Sequence, residues 1–197
     1  MTSQTALLML DYQVALCEEG DLCRAAPLAA QVRERDVLGT AKRVLDSARA
    51  AGVPVFHVRL AFDPTYVLRT NRLPRFDAYP DAKAMLAGSP EAEIVADLAP
   101  IEGEPVVDKG CVNPFIGTPL RDVLAAEGIS QVVVGGVATN LVVESTARHA
   151  SDTGLQVSIV EDMCASFNPA AHDFAFKDIL PMFGTVTKAD EVIGSWS

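Results

Sequence analysis

The chain has 197 residues, which suits one domain with a sizeable core, and 49% of them are hydrophobic, so it can fold without metal or disulfide support. A formal net charge of −10 argues against nucleic acid or an anionic membrane surface as a partner. No apolar run approaches the roughly 20 residues that span a bilayer, Met1-Thr-Ser-Gln-Thr-Ala6 lacks the basic region and cleavage pattern of a secretory signal, and Cys17, Cys23, Cys111 and Cys164 form neither a C-x-x-C nor a zinc spacing, which together predict a cytoplasmic protein with reduced thiols.

In chain order, Ala6-Leu-Leu-Met-Leu10 is a continuous apolar run closed by Asp11 and reads as a strand buried on both faces. Val14 to Pro27 has mixed polarity and reads as a loop or a short helical excursion. From about Gln31 to Ala51, Val37, Ala41, Val44, Leu45 and Ala48 recur at helical spacing, and Gly52 stops that helix. Val53 to Val58 is a second strand. Arg59 to about Ala99 shows little period and is punctuated by Pro64, Pro74, Pro80 and Pro90; a segment this long without a period is expected to be functional or to cover a site.

Glu104 to Lys109 is a third strand. Thr118 to Glu127 is helical, with Pro119 in its first turn and Gly128 as its stop. Val132, Val133 and Val134 form a buried strand, Gly135 and Gly136 are expected to end it in a tight turn, and Thr139 is placed as N-cap of a helix running to about Thr153. Leu155 to Val160 is a fifth strand, ending at Glu161-Asp162. His172 to Pro181 is a helix, Gly184 to Thr187 a short strand, and Ala189 to Gly194 a final turn. Strands alternating with helices predict a mostly parallel sheet of about six strands with helices on both faces, a three-layer α/β/α arrangement within one domain over residues 1–197.

The strand, glycine pair and helix start at residues 131–146 aim backbone N–H groups and the positive end of a helix dipole into one small space, which suits a carboxylate, an oxyanion or a thiolate. An ordinary packed βα turn explains the same local pattern. Asp11 and Lys109 also fall at strand C-terminal ends, the edge where parallel sheets place ligands. Asp11 can act as general acid or base, and Lys109 can hold its charge; the bland readings are a strand-end cap and a solvated strand-end charge. Gln13 shares a face with Asp11 if the strand continues. Arg69, Asn71, Arg72, Arg75 and Phe76 in the long segment are candidate substrate contacts or a solvated basic loop.

Gly136-Val-Ala-Thr-Asn-Leu-Val-Val-Glu-Ser-Thr146 resembles the signature of the isochorismatase-like hydrolases, which include nicotinamidases, N-carbamoylsarcosine amidohydrolase and ureidoacrylate amidohydrolase. The resemblance covers nearly the whole chain and implies the three-layer fold. It implies a catalytic group of Asp11, Lys109 and residue 142, a Val137–Ala138 peptide that is cis and presents an oxyanion hole, and substrate contacts from Gln13, Phe76, Thr139 and Asn140. It further implies a small-molecule substrate and a homodimer or homotetramer. In the amidohydrolases the position of Val142 is a nucleophilic cysteine. Valine has no lone pair to attack with, so covalent chemistry cannot be carried over.

Three readings follow from that departure. One is hydrolysis of a vinyl ether, amide or imide without a covalent intermediate, as in the family's true isochorismatases, although those read G-V-Y-A-H in this segment. The second is a ligand-binding pseudoenzyme. The third is a cysteine amidohydrolase with valine introduced at position 142. Cys111 beside Lys109 is an alternative thiol that lacks an activating helix N-terminus, and Cys164 reads as packing. Leu60-Ala-Phe-Asp-Pro64 lacks the nicotinamidases' metal-binding Asp-x-His, and His57, His149 and His172 show no ligand spacing, so neither a metal nor another cofactor is expected.

Overall fold

The computed structural model describes residues 4–196. In chain order the elements are β1 (Gln4–Leu10), α1 (Val14–Cys17), α2 (Ala26–Glu34), α3 (Val37–Ala50), β2 (Val55–Leu60), α4 (Pro74–Ala82), β3 (Val106–Lys109), α5 (Leu120–Ala126), β4 (Ile129–Val137), α6 (Glu144–Asp152), β5 (Gln156–Ala165), α7 (Pro169–Phe174), β6 (Thr185–Thr187) and α8 (Ala189–Ser195). The strands form one sheet in the order β3-β2-β1-β4-β5-β6, with every neighbouring pair parallel.

The apolar runs explain the layers. Along β1, Leu7 and Met9 pack with Leu28 and Val32 of α2, Val37 to Ala48 of α3, and Val192 of α8. Ala6, Leu8 and Leu10 point the other way, to Leu120 and Leu124 of α5, Ala147 and Ala150 of α6, and Phe176. Both faces of the central strands are covered, which is why they read as unbroken hydrophobic runs rather than alternating ones. The order reverses between β1 and β4, so the chain departs in opposite directions from neighbouring strand ends and leaves a crevice there.

Several expected boundaries shift. The helix expected over 31–51 is two helices. Pro27 opens α2 in its first turn, where a missing N–H costs nothing, and Asp36 at φ 51° breaks the path before α3. Gly135 and Gly136 do not form a turn; both lie inside β4. A Cβ on Gly136 would meet the Leu10 carbonyl oxygen at 2.4 Å, and one on Gly135 would meet Met163 Cβ at 2.8 Å. The pair therefore serves close strand approach rather than reversal. Thr139 is not the cap either: Ala138 holds that place, and Thr139 begins a π-helical turn, Thr139–Val143, that runs into α6. β5 continues through Glu161-Asp162 to Ala165, because β4 extends alongside it to Val137 with an irregularity between Val134 and Gly136. The segment after β2 holds α4 and two single 3-10 turns, Pro90–Ala92 and Ala96–Leu98. Leu60, Phe62, Tyr66, Phe76, Ala84 and Met85 pack together as a small second core that ties this segment over the sheet edge. Among the described residues, no helix is long and apolar enough to cross a membrane.

Candidate active site

Asp11 follows the last residue of β1 and has φ 57°. That left-handed step turns the chain out of the sheet at the crevice and ends the two-residue alternation. Lys109 is the last residue of β3, and Val142 lies in the π-helical turn after β4. The three come from elements far apart in sequence and line one cavity of about 400 Å³ at the C-terminal edge of the sheet. This volume lies within the range of small-molecule sites.

Lys109 Nζ donates to Asp11 Oδ2 at 2.8 Å and to the Cys111 carbonyl at 3.1 Å. Both side chains are buried, Lys109 at 1% exposure and Asp11 at 6%. Asp11 Oδ1 is buried and has no hydrogen-bond partner among the described residues. Burial pushes the Asp11 carboxyl above its ordinary value, because a charged oxygen loses its water; the ammonium and its hydrogen bond pull the other way without overcoming this. The result is a carboxyl held at one oxygen and unpartnered at the other. Val142 is 1% exposed and forms part of the cavity wall. Its backbone carbonyl accepts the Thr146 hydroxyl at 2.6 Å, which anchors the turn. The Val137–Ala138 peptide, also on the cavity wall, is cis.

Not every expected contact reaches the cavity. Gln13 is fully buried, but its amide is committed elsewhere. It donates to the carbonyls of Leu60 at 2.9 Å and Ala92 at 2.7 Å, and accepts from Leu60 N at 2.8 Å. It thus clamps β1 to the covering segment, because the turn at Asp11 takes it off the face that a continued strand would have shared. Thr139 is buried and its hydroxyl pairs with His172 Nδ1 at 2.8 Å, while Arg35 Nη2 lies 2.6 Å from His172 Nε2. The guanidinium has only protons to offer, so Nε2 accepts, and Nδ1 carries the proton donated to Thr139. Desolvation first, and then the Arg35 charge, lower His172 to about 4 and keep it neutral. Asn140 is exposed, and its side-chain oxygen accepts from Ser166.

Phe76 and Arg75 do line the cavity, brought there by α4. Arg69 pairs instead with Asp77, and Asn71 Oδ1 accepts from Leu73 N at 3.1 Å in an Asx turn just before α4. Arg72 is exposed. Cys111 lines the cavity with its thiol donating to the Asn113 carbonyl at 3.4 Å. Cys164 is buried, its thiol pushed up to about 12 by burial. All four cysteines are free. Among the described residues, no group of three His, Cys, Asp or Glu side chains could hold a metal ion.

The sequence reading missed Arg24, Leu28, Tyr79, Met85 and Phe167, which complete the walls. Arg24 sits in the segment read as a loop or a short helical excursion, and nothing local marks any of the five. Tyr79 and Met85 arrive because the segment after β2 folds back over the crevice, and they meet Arg24 and Leu28 from around the start of α2 and Phe167 from just beyond β5 there.

A three-layer parallel α/β/α protein with an Asp–Lys pair at its point of strand-order reversal is thereby defined. Residues 5–191 match the Isochorismatase domain, and the chain belongs to the isochorismatase-like hydrolase superfamily. An uncharacterized isochorismatase family protein from Escherichia coli, YecD, is 30% identical over 194 residues, covering 97% of this chain and 95% of its own. Ureidoacrylate amidohydrolase RutB of Yersinia enterocolitica is 29% identical over 213 residues, covering 96% and 87%. The crystal structure of a cysteine hydrolase from Pseudomonas syringae pv. phaseolicola superposes with a TM-score of 0.84 at 25% identity, over 98% of this chain and 92% of the other.

Proposed function

We propose that this protein hydrolyses a small molecule in the Asp11–Lys109 cavity without a covalent enzyme intermediate. The observation that carries the reading is the asymmetry of one carboxylate: Oδ2 is held by Lys109, while Oδ1 is buried and unpartnered beside a wall made by Val142. A buried carboxyl with one oxygen held and the other unpartnered can give or take a proton at a bound substrate. For an amide, ureide or imide, Oδ1 takes a proton from water as the water oxygen bonds to the carbonyl carbon. The proton passes to nitrogen as the C–N bond breaks, which restores Asp11. For a vinyl ether, Asp11 gives its proton to the alkene carbon, and water adds to the resulting oxocarbenium carbon and returns a proton to Asp11. The hemiketal then collapses to a carbonyl as its C–O bond breaks and the hydroxyl proton passes to the departing alcohol oxygen. Lys109 keeps the carboxyl oriented and spreads developing negative charge in either case. The similarity to a ureidoacrylate amidohydrolase supports a C–N bond as the target.

The second reading is a binding protein that keeps the cavity and performs no chemistry. Val142 favours it, because a methyl-bearing side chain there neither attacks nor titrates. One experiment separates the two. The chain is incubated with ureides, amides, imides and vinyl ether acids, and products are followed by proton NMR, with intact-protein mass recorded during turnover. The proposal expects turnover that Asp11→Asn abolishes and Cys111→Ala leaves unchanged, with no protein adduct. Adduct formation or loss on Cys111→Ala assigns a covalent thiol mechanism instead. Ligand binding with no turnover in any class assigns the binding protein.

A further inference from the structure

The π-helical turn Thr139–Val143 contributes Leu141 and Val142 to the cavity wall, and Ala138 just before it lines the cavity too. The hydrogen bonds that open this turn are long. Leu141 N donates to the Ala138 carbonyl at 3.1 Å, and Val143 N reaches the same oxygen only at 3.5 Å, against a usual length of about 2.9–3.0 Å. Two threonine hydroxyls supplement them. Thr146 ties the Val142 carbonyl from within α6. Thr139 is tied from outside the turn, by His172 of α7. His172 and Thr139 are both buried, and neither lines the cavity, so neither is placed to touch a ligand there.

What holds the imidazole decides which way its proton points. Its ring lies 4.8 Å from that of Phe176, centre to centre. Asn168 caps α7 by accepting from Ala170 N at 2.9 Å, which fixes the short helix that carries it. Arg35 ends α2, immediately before the left-handed residue Asp36, and places Nη2 2.6 Å from His172 Nε2. Among the described residues Arg35 makes no ion pair, and the imidazole is its side-chain hydrogen-bond partner. A guanidinium offers only protons and stays charged at any ordinary pH. It therefore keeps Nε2 as the bare nitrogen, and the one proton of a neutral ring must sit on Nδ1, facing Thr139 Oγ1. Glu161, Asp173 and Lys188 also act on the ring. The two carboxylates favour its cation and the ammonium opposes it, but burial and Arg35 outweigh them and hold it neutral.

We propose that His172 is a positioning residue for the cavity wall: its proton, kept on Nδ1 by Arg35, holds Thr139 and through it the turn that carries residue 142. The end of α2 is thereby coupled to the wall by two hydrogen bonds in series. The tie is directional. A ring with its proton on Nε2 would face Arg35 donor against donor, lose that bond and leave Thr139 to supply the proton itself. The inference concerns how the wall is held, so it stands whether the cavity hydrolyses its ligand or only binds it.

The test reads the ring and the turn rather than turnover. In the intact, isotope-labelled chain at neutral pH, nitrogen–proton correlations of the His172 ring should show Nδ1 protonated and Nε2 bare. Arg35→Met removes the fixed donor, so the Nδ1–H form should give way to a mixture with Nε2–H, and the Val142 methyl resonances should shift with it. Hydrogen exchange then compares two replacements of the ring. Asparagine puts an N–H donor where Nδ1 stood, whereas glutamine reaches toward the place of Nε2. His172→Gln should speed exchange of the Leu141 and Val143 amides about tenfold relative to the amides of β2, which report global opening. His172→Asn should keep most of the native protection. A native ring that is charged, or protonated at Nε2, overturns the inference. So does a turn unchanged in His172→Gln, or loosened equally by both replacements, which marks packing alone. Acceleration shared equally by β2 overturns it as well, because the loss is then one of overall stability. If neither His172 variant folds, Arg35→Met decides. Arg35 is half-buried and outside the apolar core, so that variant retains the fold; an unchanged tautomer with unchanged Val142 methyls refutes the coupling.

Discussion

Lys109 Nζ sits 2.8 Å from one oxygen of Asp11, and the other oxygen of the same carboxylate is buried without a hydrogen-bond partner among the described residues. In water an exposed ion pair of this kind contributes about 0.2–1 kcal/mol. In a buried site the desolvation of both groups outweighs their attraction, and the pair persists because each removes the other's unpaired charge.

Replacing Lys109 by Met leaves Asp11 buried with nothing to offset its desolvation. Stability at neutral pH should fall by about 3–5 kcal/mol. The sign with pH follows from the raised carboxyl. With its folded pKa above the unfolded value of about 3.9, the folded state binds more protons than the unfolded one. The Asp11 contribution is therefore fully present below the unfolded pKa and is lost as pH rises through the folded pKa. Removing the cation moves that folded pKa further up. Urea unfolding at pH 5 and pH 8 should show a smaller deficit for Lys109→Met at pH 5. Equal deficits at the two values would mean that the Asp11 carboxyl is not the group left unpaired.

His172 titrates in the opposite sense. Its folded pKa is lowered to about 4 from an ordinary value near 6.5, by burial and by Arg35. Its contribution is present above the unfolded pKa and is lost as pH falls through the folded one, so stability should drop between pH 6.5 and about 4. The slope approaches about 1.4 kcal/mol per pH unit if one proton is taken up. His57 is also lowered, by burial first, and contributes in the same direction. The measurement is therefore the difference between the native chain and His172→Gln across that range. Parallel curves would show that His172 is already protonated in the fold.

Val142→Cys puts a thiol on the wall of the cavity that Lys109 also lines, in the turn that opens into α6. Side-chain volume falls slightly, so stability should change by about 1 kcal/mol or less. The helix dipole and the ammonium both favour thiolate. Iodoacetamide should label residue 142 faster than Cys164, whose thiol is pushed up to about 12, and peptide mass spectrometry locates the label. A thiol at 142 that stays inert up to about pH 9, within an unperturbed thiol's range, would show that the wall no longer activates a nucleophile, and the binding-protein reading would gain.

Gly136→Ala tests the framework that sets the site. The added methyl would lie 2.4 Å from the Leu10 carbonyl oxygen, a backbone atom of the neighbouring strand immediately before Asp11. Strand separation must grow, at a cost of about 1–3 kcal/mol. Because β1 carries Asp11 and β4 leads to Val142, the same shift should impair whatever chemistry the cavity performs by more than the stability loss alone explains. An alanine variant with native stability in urea would contradict the close approach of the two strands.

The sequence by itself determined the layered parallel sheet, because strands buried on both faces need unbroken apolar runs such as Ala6–Leu10 and Val132–Val134, and because helices with one apolar stripe must lie between them. It also placed Asp11 and Lys109 at strand ends, and a parallel sheet brings all such ends to one edge. What it could not supply was direction beyond the strand. The left-handed turn at Asp11 sent Gln13 into a backbone clamp, and Thr139 turned to His172 rather than toward a ligand. Gly135 and Gly136 look the same in sequence whether they bend a chain or admit a neighbour, and only the Leu10 and Met163 contacts decide between these. The cavity walls from Arg75 and Tyr79 were likewise decided by tertiary structure, since a non-periodic segment carries no local signal for where it will fold back. Its position is set by burial of Phe62, Phe76 and Met85, contacts between residues that no spacing rule relates.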